Sequence, residues 1–175
     1  MDRATRTVRI GAGLGFYGDS WQPVRASIER GGVQYIASDH LSELTLAILQ
    51  KDLNKAKPGD PPAGFARDAV PMLTELWPLA APRGVKFVLN AGGLNPHGAR
   101  EAIARAFKAR GWKAKIATVT GDAVLGRLDE MRAAGEPLRH MDTGADLSGV
   151  RERIDRKSTR LNSSHGYISY AVFCL

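Results

Sequence analysis

Apolar positions along this chain recur alternately in short unbroken runs and at helical spacing, which predicts strand and helix in turn. Residues 7–10 form a short β-branched run that leads into GAGLGFYGDS. Residues 20–30 have helical character and stop at Gly31-Gly32, a natural helix end. Residues 33–37 are a second short apolar run, and residues 41–53 place Leu41, Leu44, Ala47 and Ile48 on one predicted helix face. KPGDPPAG, residues 57–64, is a loop, because its prolines and glycines cannot continue a helix. Residues 68–81 predict the next helix, with Pro71 in the first turn, where a missing N–H costs little. Residues 85–89, after the Arg83-Gly84 turn, are the clearest strand. Asn95-Pro96 opens a helix as N-cap and first residue, with Ala99, Ala102, Ile103, Ala106 and Phe107 as its apolar face. Residues 113–119 predict a fourth strand, and Asp122 is expected to cap a helix that stops at Gly135. Residues 136–154 show weak periodicity.

Strand and helix in alternation imply a parallel sheet covered by helices. The expected class is α/β: an open, mostly parallel, Rossmann-like sheet with helices on both faces and right-handed crossovers. In such a sheet the strand-to-helix junctions fall together on the carboxyl edge, and ligands bind there where the strand order reverses. Four junctions carry the unusual residues. They are Gly11, Gly13, Gly15, Gly18 and Asp19; then Asp39 to Glu43; then Asn90-Ala91-Gly92-Gly93-Leu94-Asn95; then Gly121-Asp122. Each alone is explicable as turn glycines and capping acids. Their coincidence on one edge points to a site.

Gly13-Leu14-Gly15-Phe16-Tyr17-Gly18 matches the GxGxxG dinucleotide pattern, with Asp39 where a ribose-binding acid would stand. Against this, Phe16 and Tyr17 crowd the third glycine, and Asp19 puts negative charge where a pyrophosphate would sit. Asp39 and Glu43, four apart near a helix start, are expected on one face. They are candidates for an acid/base pair or for holding a hard cation, and equally for a cap and a dipole charge. His40, between them, is expected to point elsewhere. In the third junction Gly92 and Gly93 can turn backbone N–H groups toward an anion or carbonyl oxygen, while Asn90 and Asn95 both donate and accept. His97 is a possible accessory donor there, and Asp122 is a cap or a ligand contact. No residue is assigned as a metal ligand.

The chain carries a net charge of +7 with acids interleaved among the bases, so a clustered nucleic-acid footprint is absent. No apolar run approaches the roughly 20 residues of a membrane span, and the N-terminus lacks a secretory pattern, so a cytoplasmic location is expected. The single cysteine is Cys174. It lies in DRKSTRLNSSHGYISYAVFCL, residues 155–175, which resembles a short-read sequencing adapter translated in one frame. Gly166 and Tyr167 stand at the variable sample barcode, and every other position agrees. The segment is accordingly expected to be a foreign tail on a truncated α/β domain, residues 1–154, and its apolar ISYAVFCL ending to have no place in the sheet. Without the tail's net +2, residues 1–154 carry +5 and no cysteine. A truncated sheet with an unpaired edge is expected to be inactive and poorly stable.

GFYGDS, YIASDHLSELTLAIL, GFARDAV, VKFVLNAGGLNPHGAR, ATVTGD and MDTGADL, running in order from Ile10 to Leu147, resemble the acyclic terpene utilisation family. NAGGLNP, Asn90 to Pro96, is the most specific segment. Gly18, Asp19 and Ser20, with Asp39, Leu41 and Glu43, support it, and His40 stands where an aromatic is usual. The resemblance implies an organic acid or acyl-CoA ligand in terpene or branched-acid catabolism, and further strands and helices beyond the MDTG segment. It assigns no settled reaction, so whether the protein is an enzyme, and with what cofactor, stays open. On this reading Asp19, Asp39 and Glu43 are the catalytic candidates, and Gly18, Ser20, Asn90, Gly92, Gly93, Asn95 and Asp122 the ligand-binding ones. The alternatives are a non-catalytic ligand-binding or assembly module of a carboxylase-type complex, and a dinucleotide-binding domain. A full-length relative has room to be oligomeric.

Overall fold

A computed structural model describes residues 7–140, 142–149 and 172–174. Strands β1 (Ile10–Ala12), β2 (Tyr35–Ser38), β3 (Lys86–Leu89), β4 (Ile116–Thr118) and β5 (Val172–Cys174) form one sheet in the order β1-β2-β3-β5-β4. Helices α1 (Gln22–Arg30), α2 (Glu43–Lys55), α3 (Ala69–Ala80), α4 (Pro96–Lys108) and α5 (Leu128–Ala133) connect them. The strands β1, β2 and β3 are parallel, with Gly11 opposite Ile36 and Ile36 opposite Phe87. The α/β class and the open parallel sheet of the sequence reading hold.

Chain order advances β1 to β2 to β3 and on to β4 without turning back. The order turns back only into antiparallel β5, so among the described strands no reversal point lies between parallel neighbours. Parallel crossovers of one hand, all stepping in one direction, place their helices on one face. The burial agrees. Gly11, Ile36, Ser38, Phe87 and Leu89 point into the core, whereas Ala12 and Ala37 are exposed and Ile10 is 65% exposed. Val24 and Ile28 of α1, Met72, Leu73, Leu76 and Ala80 of α3, and Ala99, Ile103 and Phe107 of α4 complete one continuous core. Among the described residues, helical cover is found on this face.

Local chemistry explains most boundaries. Asn95 caps α4 as its spacing suggests, its Oδ1 accepting from the Gly98 N–H at 2.9 Å. Helix α3 buries one stripe at Ala69, Met72, Leu73, Leu76 and Ala80, tightens into a 3-10 turn (Ala81–Arg83), and ends at left-handed Gly84, φ 66°. Phe107 seals the far end of the core against Trp77 (5.0 Å between centroids) and edge-on to Trp112 (5.4 Å).

Three expectations change. In α2 the buried residues are Thr45, Leu46 and Leu49, while Leu44 is 71% and Ile48 39% exposed. ELTLAILQ is apolar at so many positions that two stripes compete, and contact with the loops decides between them: Leu49 packs on Gly93 and Leu53 on Gly64. Asp122 does not cap a helix; a 3-10 turn (Leu125–Arg127) intervenes, and Arg127 holds the N-cap position of α5. The stop at Gly135, φ 87°, is as expected. Finally, part of the ISYAVFCL ending has a place in the sheet. Val172–Cys174 pairs antiparallel with both β3 and β4. The outer edge of β3 offers a row of unpaired N–H and C=O groups, and a short β-prone run satisfies it. The remainder of that tail, residues 155–171 and Leu175, lies outside the described residues.

The core makes a direct prediction. Phe87 is fully buried in the central strand, so Phe87→Ala is expected to lower unfolding free energy by about 3–5 kcal/mol. Ile36→Val, at an equally buried site, is expected to cost only about 1 kcal/mol. Urea titration followed by circular dichroism measures both; equal small effects would mean that the sheet face is not the core.

Candidate functional site at the carboxyl edge

The ends of β1, β2 and β3 lie side by side, so their junctions meet as the parallel reading requires. Ile116 and Phe87 both pair with Cys174, so β4 runs in the same direction and its junction opens on the same edge, one strand removed. Gly121 and Asp122 thus share the edge but stand apart from the first three junctions.

The first junction is built on a close approach. An ideal Cβ on Gly13 would lie 1.9 Å from the Ser38 Oγ, so only glycine fits. Gly13 donates to the Ala37 carbonyl at 2.7 Å, Leu14 donates to the Ser38 Oγ at 2.6 Å, and Asp39 N–H returns to the Leu14 carbonyl at 2.9 Å. The backbone then turns through Gly18, φ 89°. Here the carboxylates take the amides. Asp19 Oδ2 accepts from Gly15 at 3.1 Å and Oδ1 from Ser20 at 2.7 Å, while Asp68 Oδ2 accepts from Gly18 at 2.7 Å. The Ser20 Oγ accepts from Gln22 at 3.4 Å. The glycines therefore serve packing and turning, and two acids occupy N–H groups that a dinucleotide phosphate would need.

The second and third junctions lock together through Asn90, a 4% exposed side chain at the end of β3. Its Oδ1 accepts from the His40 backbone N–H at 2.7 Å, and its Nδ2 donates to Asp39 Oδ1. Asp39 Oδ1 also accepts from the Leu41 N–H at 3.3 Å. Asp39 and Glu43 do not form a helical pair. Asp39 precedes the N-cap, which is Ser42, its Oγ accepting from Thr45 N–H at 3.2 Å, and exposed Glu43 is the first helical residue. Asp39 is thus held by Asn90 rather than by its own helix.

The Asn90-to-Asn95 loop is packed rather than open. Gly93, φ 51°, donates to the Asn90 carbonyl at 3.1 Å and sits where a Cβ would lie 2.5 Å from Leu49 Cδ1. Asn95 N–H donates to the carbonyl of buried Gly92 at 2.9 Å, and Asn95 Nδ2 to the Ala63 carbonyl at 2.9 Å. His97 is exposed in the first turn of α4. Asp122 is half-buried, its carbonyl accepting from Val124 N–H at 2.9 Å.

Two residues passed over in the sequence stand at the centre. His40 is 0% exposed, and its Nδ1 lies 3.4 Å from Asp68 Oδ1. Both ring nitrogens and that carboxylate oxygen are buried with no hydrogen-bond partner among the described residues. Leaving a buried polar group unmet costs about 1–3 kcal/mol, so three at one point need an explanation. His40 stood between two acids that drew attention, and Asp68 was the first residue of a predicted helix; only the fold brings them together. Outside this cluster, Glu75 accepts from Trp21 Nε1 at 2.7 Å and Arg25 Nη2 at 2.8 Å, beside a shallow depression lined by Ser20, Trp21, Gln22 and Glu75. Among the described residues no group of three or more His, Cys, Asp and Glu is placed to hold a metal ion, and no helix is long and apolar enough to cross a membrane.

A family model described as acyclic terpene utilisation family protein AtuA matches residues 8–167. The matched range continues past residue 154 into the adapter-like segment. Neither a curated protein nor a solved structure matches the chain.

Two predictions follow from these contacts. Asn90→Ala removes both bonds that join β2 to β3 at the edge and is expected to cost about 3 kcal/mol. Asn95→Ala, losing a helix cap, is expected to cost about 1 kcal/mol; a reversed order in chemical denaturation would refute the lock. Hydrogen bonds from Arg25 and then Trp21 hold the Glu75 carboxyl below its ordinary value. Its contribution to stability is therefore present above the unfolded-state pKa of about 4.3 and is lost as the pH falls through the lower folded value. Glu75→Gln is expected to flatten the stability profile in that acid window and leave its slope near neutrality unchanged.

Proposed function

The chain is a member of the acyclic terpene utilisation family, and on that premise we propose that its carboxyl edge binds or transforms an organic acid or acyl-CoA in terpene or branched-acid catabolism. The observation that carries this reading is the cluster of buried and half-buried polar groups at the edge: Asp39, Asn90, His40 and Asp68 beside the Gly18 turn. Buried polar groups gathered on a rigid sheet end are how α/β folds orient small ligands. Among the acids named from sequence, half-buried Asp39 is the best placed to act on a ligand, since Asn90 fixes it. Asp19 is folded onto its own loop and Glu43 is exposed. The ligand-binding role of Gly18, Ser20, Asn90, Gly92, Gly93, Asn95 and Asp122 belongs to the same proposal, as do a cytoplasmic location, a protein that does not engage nucleic acid, and an oligomeric full-length form.

A second reading, a non-catalytic assembly module of a carboxylase-type complex, draws on the sheet face that exposes Ile10, Ala12 and Ala37. A full-length relative that converts acyl-CoA thioesters without partners would exclude it. Dinucleotide binding has least support, because Asp19 and Asp68 occupy the loop amides. Residues 155–175 are proposed to be foreign to the protein, on their agreement with a translated adapter; an uninterrupted genomic frame reading DRKSTRLNSSH after Ile154 would end that proposal.

The test of the main reading is ligand-induced stabilisation of a full-length relative. Branched carboxylates or their CoA thioesters are expected to raise the melting temperature, since a ligand at 100 times its Kd adds about 2.7 kcal/mol. NAD and FAD are expected to leave it unchanged. Asp39→Ala is expected to abolish the rise and growth on acyclic terpenes; unchanged binding and growth would defeat the proposal.

A further inference from the structure

The buried pair His40 and Asp68 is assigned no role by the reading above beyond its presence at the edge. Its surroundings narrow what it can do. Asp68 is divided between two neighbours, with Oδ2 holding the Gly18 N–H at 2.7 Å and Oδ1 facing His40 Nδ1 at 3.4 Å. The His40 main chain is fixed by Asn90, and the ring itself is fully buried. A carboxylate oxygen facing Nδ1 favours the tautomer with hydrogen on that nitrogen. Nε2 is then left with a lone pair, buried and unmet among the described residues. An acceptor so placed is matched by an O–H donor.

Resting on the reading of this edge as an organic-acid or acyl-CoA site, we propose that His40 and Asp68 select a hydroxylated ligand: Asp68 sets the imidazole tautomer, and His40 Nε2 accepts a hydrogen bond from a ligand hydroxyl. The Gly18 turn is the route in. Gly15, Phe16, Gly18 and Ser20 are exposed, the Gly18 N–H bond to Asp68 ties the turn to the pair, and a Cβ at Gly18 would meet nothing within 4 Å. Lifting Gly18 therefore uncovers Asp68 and the ring behind it.

The experiment uses the protein read through its uninterrupted frame, labelled with nitrogen-15, and a matched pair of probes, 3-hydroxybutyrate and butyrate, each also as its CoA thioester. Without probe, the His40 ring is expected to show hydrogen on Nδ1 and a free lone pair on Nε2. Saturation with the hydroxylated probe is expected to shift the Nε2 resonance, and the hydroxylated member to bind at least tenfold more tightly than its partner. Asp68→Asn is expected to remove that preference while the melting temperature of the free protein shows it to be folded. If probes of both kinds raise the melting temperature equally and Nε2 does not move, hydroxyl selection by His40 is wrong and the acid site stands. A ring that reports only a long-lived water, unmoved by any probe that binds, overturns the proposal in the same way. If no probe stabilises the protein, the acid site itself falls, and the selection with it.

Discussion

Asn90 ends β3 with a carboxamide that is cut off from solvent and must find its partners within the protein. It finds them across the strand gap, in the main chain of His40 and the side chain of Asp39. A buried amide that is fully met is rigid, because every departure from its geometry leaves a polar group unpaired in low dielectric. That rigidity passes outward. Asp39 is oriented by it and the His40 main chain is anchored by it, with Asp68 and the Gly18 turn beside them. The core beneath is apolar and one-sided, and would tolerate small shifts of the strand ends. The carboxamide is what converts three adjacent strand ends into a fixed surface.

Pattern alone made the architecture readable wherever a single choice was available. Residues 85–89, apolar and bracketed by a glycine turn and an asparagine, could be little but a buried strand, and Asn95-Pro96 could be little but a helix start. Where two choices were nearly equal, pattern failed. The α2 segment offers apolar side chains on most of its circumference, so its orientation is set by which loops lie beneath it, and those loops come from elsewhere in the chain. Asp122 has the right residue type for a cap but is followed by a 3-10 turn that delays the helix. The one-directional strand order, and with it the uncovered face, is a property of sheet assembly that no local window contains.

The candidate site was readable by place and less so by residue. Four junctions with unusual composition do share an edge, because parallel strands leave no other arrangement. What each residue does there depends on partners distant in sequence. Asp19 looked reactive and is occupied with its own loop. Asn90 and Asn95 looked alike, yet one joins strands while the other caps a helix. His40 and Asp68 stand in separate segments of the chain, and their meeting is visible only once α3 is laid against the first turn. Membership of the acyclic terpene utilisation family locates the chain among proteins of a metabolic setting, while the chemistry at the edge is a matter of these tertiary contacts.

The contact between Gly13 and Ser38 has a consequence for how sequences of this kind can drift. The two positions share one volume: the hydroxyl at 38 fills the space that a methyl at 13 would take. The hydroxyl is also the acceptor for the Leu14 N–H. Trading the bulk across the pair, with alanine at 13 and glycine at 38, would still leave the new Cβ 2.9 Å from the Cα at 38 and would strand that donor. Position 13 is closed to any side chain, while position 38 is held by one hydrogen bond, so of the two the glycine is the harder to lose.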